Sequence, residues 1–328
     1  MTIRELADEF LEHKKTRVKL STLAAYAQTI KVHIVPYFGD EDISAGIDSK
    51  RANKFIEDIL AAGTSVKYAQ DINTTIGSIM NYGNLTHDIP YRPWKIAWPS
   101  RNMSKHEQIK YFSKEECKKV FDLMEEDPSP KLLGMVIGLT TGMRIGEICG
   151  LRFSDIDFAE HTLHVQRTVE RVTITHSTIN FDGQEIAKTS TERKSSNKSG
   201  IVINPPKTVD SNRIVPIAKL PYKWLKKYSA VIGDADAYVL TLTKKIYEPR
   251  SFRETYRRYL KRLGIQYLNP HCMRHTFATQ MLHNKVDVAT IAAILGHSSP
   301  AITLDIYSHT NEDEKKKQVN AVFGKLFK

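Results

Sequence analysis

Apolar residues recur at helical spacing through the first eighty or so positions, and polar punctuation divides them into four segments. Thr2 and Glu5 have the spacing of a capping box, in which each side chain bonds the other residue's backbone N–H, so a helix is expected over 3–14. A second helix is expected from Ser21 or Thr22, ending before Pro36 and the Gly39-Asp40 turn. A third, 49–61, stops at Gly63. A fourth covers 64–83, where Ile72, Ile76, Ile79 and Met80 share one face. Four short amphipathic helices predict a small bundle, a domain of residues 1–87. Residues 88–106 hold three prolines and two tryptophans with few periodic positions, so 88–111 reads as a linker.

A second domain, 112–328, opens on Ser113 and Glu116 at capping-box spacing. Helix 131–140 ends at Gly142, and a short helix carries Arg144 and Glu147 to Gly150. The period then switches to two. T-L-H-V-Q-R-T-V-E-R-V-T-I-T, 162–175, predicts a strand, and 201–217 predicts further strand with a hairpin near Asp210-Ser211-Asn212. The Lys/Ser/Thr/Gly-rich run 182–200 predicts a loop. From 220 onward the pattern is helical, with Gly296 as the C-terminal cap of a helix 288–295. In a tail helix, 311–327, Val319, Val322, Phe323 and Leu326 form one apolar stripe. The expected fold is therefore two-domain and mostly α: a helical bundle, then an α+β domain with a small antiparallel sheet.

Composition sharpens this only in places. A chain of 328 residues fits two cores better than one. No apolar run approaches the ~20 residues of a membrane span, and no basic-then-apolar leader opens the chain. Cys117, Cys149 and Cys272 are far apart and odd in number, which argues against a disulfide framework and fits a reducing cytoplasm. Charge is more telling. Residues 1–100 carry twelve Lys or Arg and twelve Asp or Glu, so the whole net charge of +11 falls on 101–328. An excess confined to one domain points to a polyanionic partner. Within 250–262, Arg250, Arg253, Arg257 and Lys261 fall on one helical side, with Phe252, Tyr256, Tyr259 and Leu263 opposite. That stripe suits phosphates, although an ordinary amphipathic surface helix shows the same pattern.

Four short segments hold the candidate chemistry: T-G-M-R-I-G-E-I at 141–148, H-C-M-R-H at 271–275, L-G-H at 295–297, and Tyr307. The guanidiniums of Arg144 and Arg274 match a phosphate bidentately. His271 follows a helix-starting Asn269-Pro270, and three residues on, Arg274 shares its face. His297 projects from the turn after Gly296. A tyrosine hydroxyl, with its pKa near ~10, attacks at neutral pH only with such help. Taken singly, an Arg or Tyr is ordinarily a surface or core residue; the set is what points to phosphoryl transfer. His275 shares the face of His271 and is assigned a buried structural role. No P-loop, Rossmann glycine fingerprint or carboxylate metal cluster is present, so no nucleotide, metal or other cofactor is expected.

In this order the pieces resemble the tyrosine recombinases, or phage integrase family, over residues 112–310, with a weaker resemblance over 1–100 to that family's helical core-binding domain. The likeness is greatest to integrases of conjugative transposons and Gram-positive phages. Met273 stands where the family usually has Leu, Gly146 where it often has Ser or Ala, and the stretch up to Lys207 is longer than the family minimum. The resemblance implies a site-specific DNA recombinase that cuts and rejoins strands through a 3′-phosphotyrosine. It makes Tyr307 the nucleophile, Arg144, His271, Arg274 and His297 the phosphate-handling groups, and Glu147 an orienting residue. Lys207, in P-K-T, becomes the general acid for the departing 5′-hydroxyl, with Lys188, Lys194 and Lys198 as competing candidates.

The same resemblance implies that Ser21, Thr22, Tyr26 and Lys67 contact the major groove. It implies double-stranded DNA as partner, at element ends and target site, and a homotetramer on that DNA with the tail helix docked on a neighbouring protomer. An excisionase or DNA-bending protein would assist, in a bacterial cytoplasm and on the nucleoid. Many such integrases carry an arm-binding domain ahead of this region. With the first helix at residue 3, that domain is expected to be absent or removed. Three rivals compete. A type IB topoisomerase shares the chemistry but not the separate bundle or the spacing of L-G-H to Tyr307. A non-catalytic regulator would use 290–307 as a helix-turn-helix, which leaves Arg144, Lys207 and H-x-x-R unexplained. A metalloenzyme would need the Glu that H-C-M-R-H lacks.

Overall fold

Thr2 and Glu5 close the expected reciprocal cap on α1 (Ile3–Lys15). The computed structural model describes residues 1–99, 110–177, 179, 181, 185–186, 199–205, 211–297, 299 and 301. By contacts the chain divides into two units. One is Met1–Glu107 with Arg171–Gln184 and Arg193–Gly200; the other is Gln108–Glu170 with Glu185–Glu192 and Ile201–Lys328.

In the first unit α1 is followed by α2 (Leu20–Thr29), a π-helical turn (Ile30–Ile34), α3 (Val35–Phe38), α4 (Ser49–Ala61) and α5 (Val66–His87). Expected boundaries move in α2 and in α5. α2 starts at Leu20, capped by Lys19 without a side-chain bond, and helical winding does not stop before Pro36. The π turn explains this: the Val35 N–H reaches back five residues to the Ile30 carbonyl. Pro36 then opens a fresh turn, where its missing N–H has no helical acceptor to lose. α5 outruns its expected end at 83 because Gly83 sits inside the helix for packing. A Cβ there would come within 2.7 Å of Leu6 Cδ2. Ile72, Ile76, Ile79 and Met80 are buried along the predicted face.

From residue 110 onward the helices are α6 (Lys114–Glu126), α7 (Pro130–Thr141), α8 (Ile145–Gly150), α9 (Lys219–Ile232), α10 (Pro249–Arg262), α11 (His271–His283) and α12 (Val288–Leu295). Ser113 and Glu116 close the cap on α6. The strands are β1 (Ile156–Asp157), β2 (Thr162–Val165), β3 (Thr168–Thr173), β4 (Glu185–Ile186), β5 (Ser199–Asn204) and β6 (Arg213–Pro216). They form two three-stranded sheets, in orders β1-β2-β6 and β3-β5-β4, with β1–β2, β2–β6 and β4–β5 antiparallel.

The expected single strand 162–175 is thus two strands in different sheets. The break falls at Gln166-Arg167, whose side chains both turn to buried Asp155. Gln166 Nε2 donates to Oδ1 at 2.6 Å and an Arg167 guanidinium nitrogen to Oδ2 at 2.5 Å. Nor does 201–217 form a hairpin with itself: β6 pairs with β2, whereas β5 pairs with β4. The expected loop 182–200 contains β4 and the start of β5 among its described residues.

α7 is the packing axis of this half. Three glycines four residues apart leave it smooth. A Cβ at Gly134 would come within 2.6 Å of Leu240 and 2.8 Å of Phe252, and one at Gly138 within 2.8 Å of the Met273 sulfur. A Cβ on Gly142, at φ 66°, would strike Leu295. α8, α10, α11 and α12 approach through these positions.

Candidate active site

Gly142 ends α7 in a left-handed turn, and the chain re-enters a helix two residues later with Arg144 as the extended N-terminal cap of α8. Glu147, in the first turn of α8, accepts the Arg144 backbone N–H at 2.8 Å and its guanidinium at 2.9 Å. This pins a residue whose side chain is 39% exposed to a carboxylate that is 4% exposed. Gly146 lets α8 seat on β3, since a Cβ there would lie 2.6 Å from Thr168 Oγ1 and 2.8 Å from the Val169 carbonyl.

On α11 the Asn269 side chain accepts the His271 N–H at 3.0 Å and starts the helix. One turn on, Arg274 is only 2% exposed. Its guanidinium donates to the Gly142 carbonyl at 3.0 Å and the Leu295 carbonyl at 2.7 Å. These carbonyls end α7 and α12, where no helical N–H follows to take them. His297 leaves the left-handed Gly296 (φ 66°), its own N–H bonded to the Ala292 carbonyl at 3.0 Å.

These groups lie near enough for their charges to act on one another. His271 is exposed at its surface, yet desolvation by the packed helices, then His275, Arg274 and Arg144, hold its imidazole down at about 4. Burial, then Arg274, Arg144, Arg213 and His271, do the same to His297, also at about 4. His275 is lowered by burial and Arg274; it is half-buried and edge-on to His271 at 4.8 Å, rather than fully buried as expected, because it shares the cationic face. Burial pushes the Glu147 carboxyl up, but Arg213 and then Arg144 outweigh it and leave it below its ordinary value. The arrangement gathers two arginines and two histidines whose imidazoles are held below their ordinary pKa.

Arg144, Glu147, His271, Arg274 and His297 therefore come together. Lys207, Tyr307, the competing Lys188, Lys194 and Lys198, and the tail 311–327 lie outside the described residues. Arg213 was not singled out by the sequence. From β6 it donates to both Glu147 oxygens, at 3.0 and 3.3 Å, and to the Ile294 carbonyl at 2.5 Å. The available signal was its phase: Arg213, Val215 and Ile217 point inward while Ile214 is 66% exposed.

Arg250, Arg253, Arg257 and Lys261 are all exposed on α10, with Phe252 and Tyr256 buried opposite and Tyr259 and Leu263 half-buried. Arg257 pairs with Glu254 at 3.0 Å. In the first unit Thr22 and Lys67 are exposed, Lys67 paired with Asp71 at 3.0 Å. Ser21 and Tyr26 are half-buried, Tyr26 packing edge-on against Phe10. Among the described residues, no helix is long and apolar enough to cross a membrane.

Residues 110–314 match the phage integrase family, and residues 2–56 match the phage integrase N-terminal SAM-like domain. The chain belongs to the phage integrase family: it is a tyrosine-type, site-specific DNA recombinase. It is 29% identical over 295 residues to a XerC-like tyrosine recombinase of Caldanaerobacter subterraneus subsp. tengcongensis, covering 84% of this chain and 71% of that one. It is 23% identical over 301 residues to the ICEBs1 integrase of Bacillus subtilis, covering 89% and 74%. Its fold is similar to the Tn1549 transposon integrase in complex with circular intermediate DNA, at TM-score 0.74 and 18% identity over 98% of this chain and 99% of that one. It is also similar to a lambda integrase dimer on a core site, at TM-score 0.63 and 17% identity over 95% and 98%.

The depressed imidazoles have a thermodynamic signature. As pH falls below about 6.5 the unfolded chain binds protons at His271 and His297 that the folded chain refuses until about 4. The two histidines' contribution is therefore fully present above pH 6.5 and is lost progressively toward pH 4. Urea midpoints at pH 7.5, 6 and 5 should fall more steeply for the wild type than for a His271→Gln/His297→Gln variant. Parallel slopes would refute the shifted imidazoles.

Proposed function

We propose that Arg144, His271, Arg274 and His297 bind one DNA phosphodiester, and that Tyr307 attacks it. What supports this is that Arg144 is anchored on Glu147 and Arg274 on the carbonyls that end α7 and α12, with His271 and His297 near enough to both guanidiniums to be held below their ordinary pKa. The guanidiniums offset the phosphate's charge and favour the five-coordinate transition state, in which that charge grows. A bound phosphodiester counters the same cations, so it raises the affinity of both imidazoles for protons and lets them donate hydrogen bonds to its oxygens. Tyr307 passes its proton to one of these imidazoles and forms an O–P bond to the phosphorus, which keeps its bond to the 3′-oxygen. The 5′-oxygen leaves and takes a proton from Lys207. A 5′-hydroxyl of another strand then reverses the step and frees Tyr307. The bond energy of the cut strand is conserved in the phosphotyrosine, so the reaction as drawn uses no nucleotide and no metal.

The substrates in this reading are the ends of a mobile element and its target site. A lambda integrase tetramer has been seen on a Holliday junction; for this chain a tetramer on DNA, with the tail 311–327 on a neighbouring protomer, belongs to the proposal. So do an excisionase or DNA-bending partner, the groove contacts of Ser21, Thr22, Tyr26 and Lys67, and the phosphate contacts of α10. Residues 1–87 act in it as the core-binding domain, 88–111 as the linker and 112–328 as the catalytic domain.

The test is a labelled duplex carrying the element's end, nicked so that the cleaved 5′ fragment diffuses away. Incubation should yield a protein–DNA adduct that survives denaturation, equally with and without EDTA. Cleavage lost in EDTA and restored by one specific divalent ion would overturn the metal-free mechanism.

A further inference from the structure

Arg213 is a buried charge that the reaction above leaves unused. We propose that it is a positioning residue, fixing the start of α8, which presents Arg144, against the end of α12, which presents His297. The inference rests on reading this centre as the one that cleaves a phosphodiester.

The side chain is 7% exposed and its hydrogen bonds run inward. Its two terminal nitrogens straddle the Glu147 carboxylate, and one of them also donates to the Ser211 carbonyl at 3.1 Å. Its Nε holds the Ile294 carbonyl. The next carbonyl, Leu295, is held by Arg274, whose other nitrogen holds Gly142, two residues before Arg144. Two arginines thus run side by side between the same two chain segments. A single tie fixes a separation; two fix the relative rotation as well. The orientation of the Arg144 guanidinium toward His297 therefore depends on both.

Charge gives Arg213 a second task. Glu147 is buried, and a buried carboxylate needs a partner. With Arg213 in place, Arg144 need not serve as its sole counter-charge and can turn toward a phosphate. Without Arg213, Glu147 draws the Arg144 guanidinium inward. Stability alone does not call for an arginine here, since a well-packed apolar side chain in phase with Val215 and Ile217 would serve a core at least as well.

The experiment uses the full chain with Arg213→Met, Arg213→Lys, Glu147→Gln and the Arg213→Met/Glu147→Gln pair. Single-turnover adduct formation is measured on the nicked element-end duplex, with DNA affinity and thermal melting alongside. Arg213→Met should slow adduct formation about 100-fold while DNA affinity changes by less than about threefold. Arg213→Lys keeps the charge but not the fork, and should be about 10-fold slower than wild type with unchanged melting. It carries the test if the methionine variant fails to fold. In the Glu147→Gln background, adding Arg213→Met should cost less than about 10-fold, because the two residues act through each other. Near wild-type rates in both Arg213 variants, or losses that simply multiply, would overturn the inference.

A second arm does not depend on DNA. Inorganic phosphate is titrated while the imidazole resonances of His271 and His297 are followed by NMR. In the wild type both rings should report one saturating site; in Arg213→Met, His297 should no longer follow His271. Identical titrations in the two proteins overturn the positioning role whatever the DNA arm shows. If the wild type forms no adduct yet the phosphate titrations differ as stated, the recombinase assignment of the centre fails and the positioning role stands.

Discussion

Tyr307→Phe is expected to abolish the covalent protein–DNA adduct while leaving DNA binding intact. The substitution removes one oxygen and no charge, so the electrostatic attraction of the basic half for DNA is untouched. What is lost is the only atom that can form the phosphotyrosine bond in the proposed reaction. The expected fall in single-turnover cleavage is at least about 10⁴-fold, to the floor of detection. Gel shift and denaturing electrophoresis on the same nicked duplex give both quantities from one sample. An adduct of wild-type yield in the variant would move the nucleophile to another residue.

Arg144→Ala and Arg274→Ala should each lower cleavage by about 10²- to 10³-fold, the range for removing a preorganised donor to developing charge. DNA affinity should fall by less than about tenfold, because the +11 excess is spread across the second half of the chain. The two variants should differ in stability. Arg274 is buried and holds the carbonyls that end α7 and α12, so its loss should cost about 1–3 kcal/mol through unsatisfied backbone acceptors. Arg144 is more exposed, and its absence leaves Glu147 still paired with Arg213, so melting should change less. Thermal melts run beside the cleavage assay separate the effects. Near wild-type cleavage by either alanine variant would break the two-arginine clamp.

The parts of this architecture that the sequence made legible are those decided within a few residues. The caps at Thr2 and Ser113 and the left-handed ends at Gly142 and Gly296 fall where local chemistry places them. Arg144, Glu147, His271, Arg274 and His297 could be proposed together because their motifs are short and ordered, and the fold brings them to one centre. The strands were harder. Whether 162–175 is one strand or two depends on Asp155, which draws Gln166 and Arg167 out of register from eleven and twelve residues away. Whether β6 pairs with β5 or β2 depends on contacts across some fifty residues of chain. Pro36 looked like a stop because a π turn that absorbs it leaves no mark in the hydrophobic pattern. Arg213 shares the inward phase of Val215 and Ile217, but the buried carboxylate that explains an arginine there, Glu147, lies sixty-six positions earlier.

The smooth flank of α7 has a consequence for how damage to this enzyme should present. The helices bearing the reactive side chains lie against a single rod, with no layer of adjustable side chains between it and them at Gly134, Gly138 and Gly142. A bulkier residue at Gly134 meets Leu240 and Phe252 together, and one at Gly142 must also hold a positive φ against Leu295 and Phe277, so neither is absorbed by one neighbour, whereas Gly138 faces the flexible end of Met273. Slow amide exchange along α7 and the assembly of Arg144, His271, Arg274 and His297 should therefore disappear in one step, with no partially active species between. In a random screen for inactive alleles, changes on this flank will resemble unfolding mutants in every solubility assay, although they sit within about three turns of Arg144.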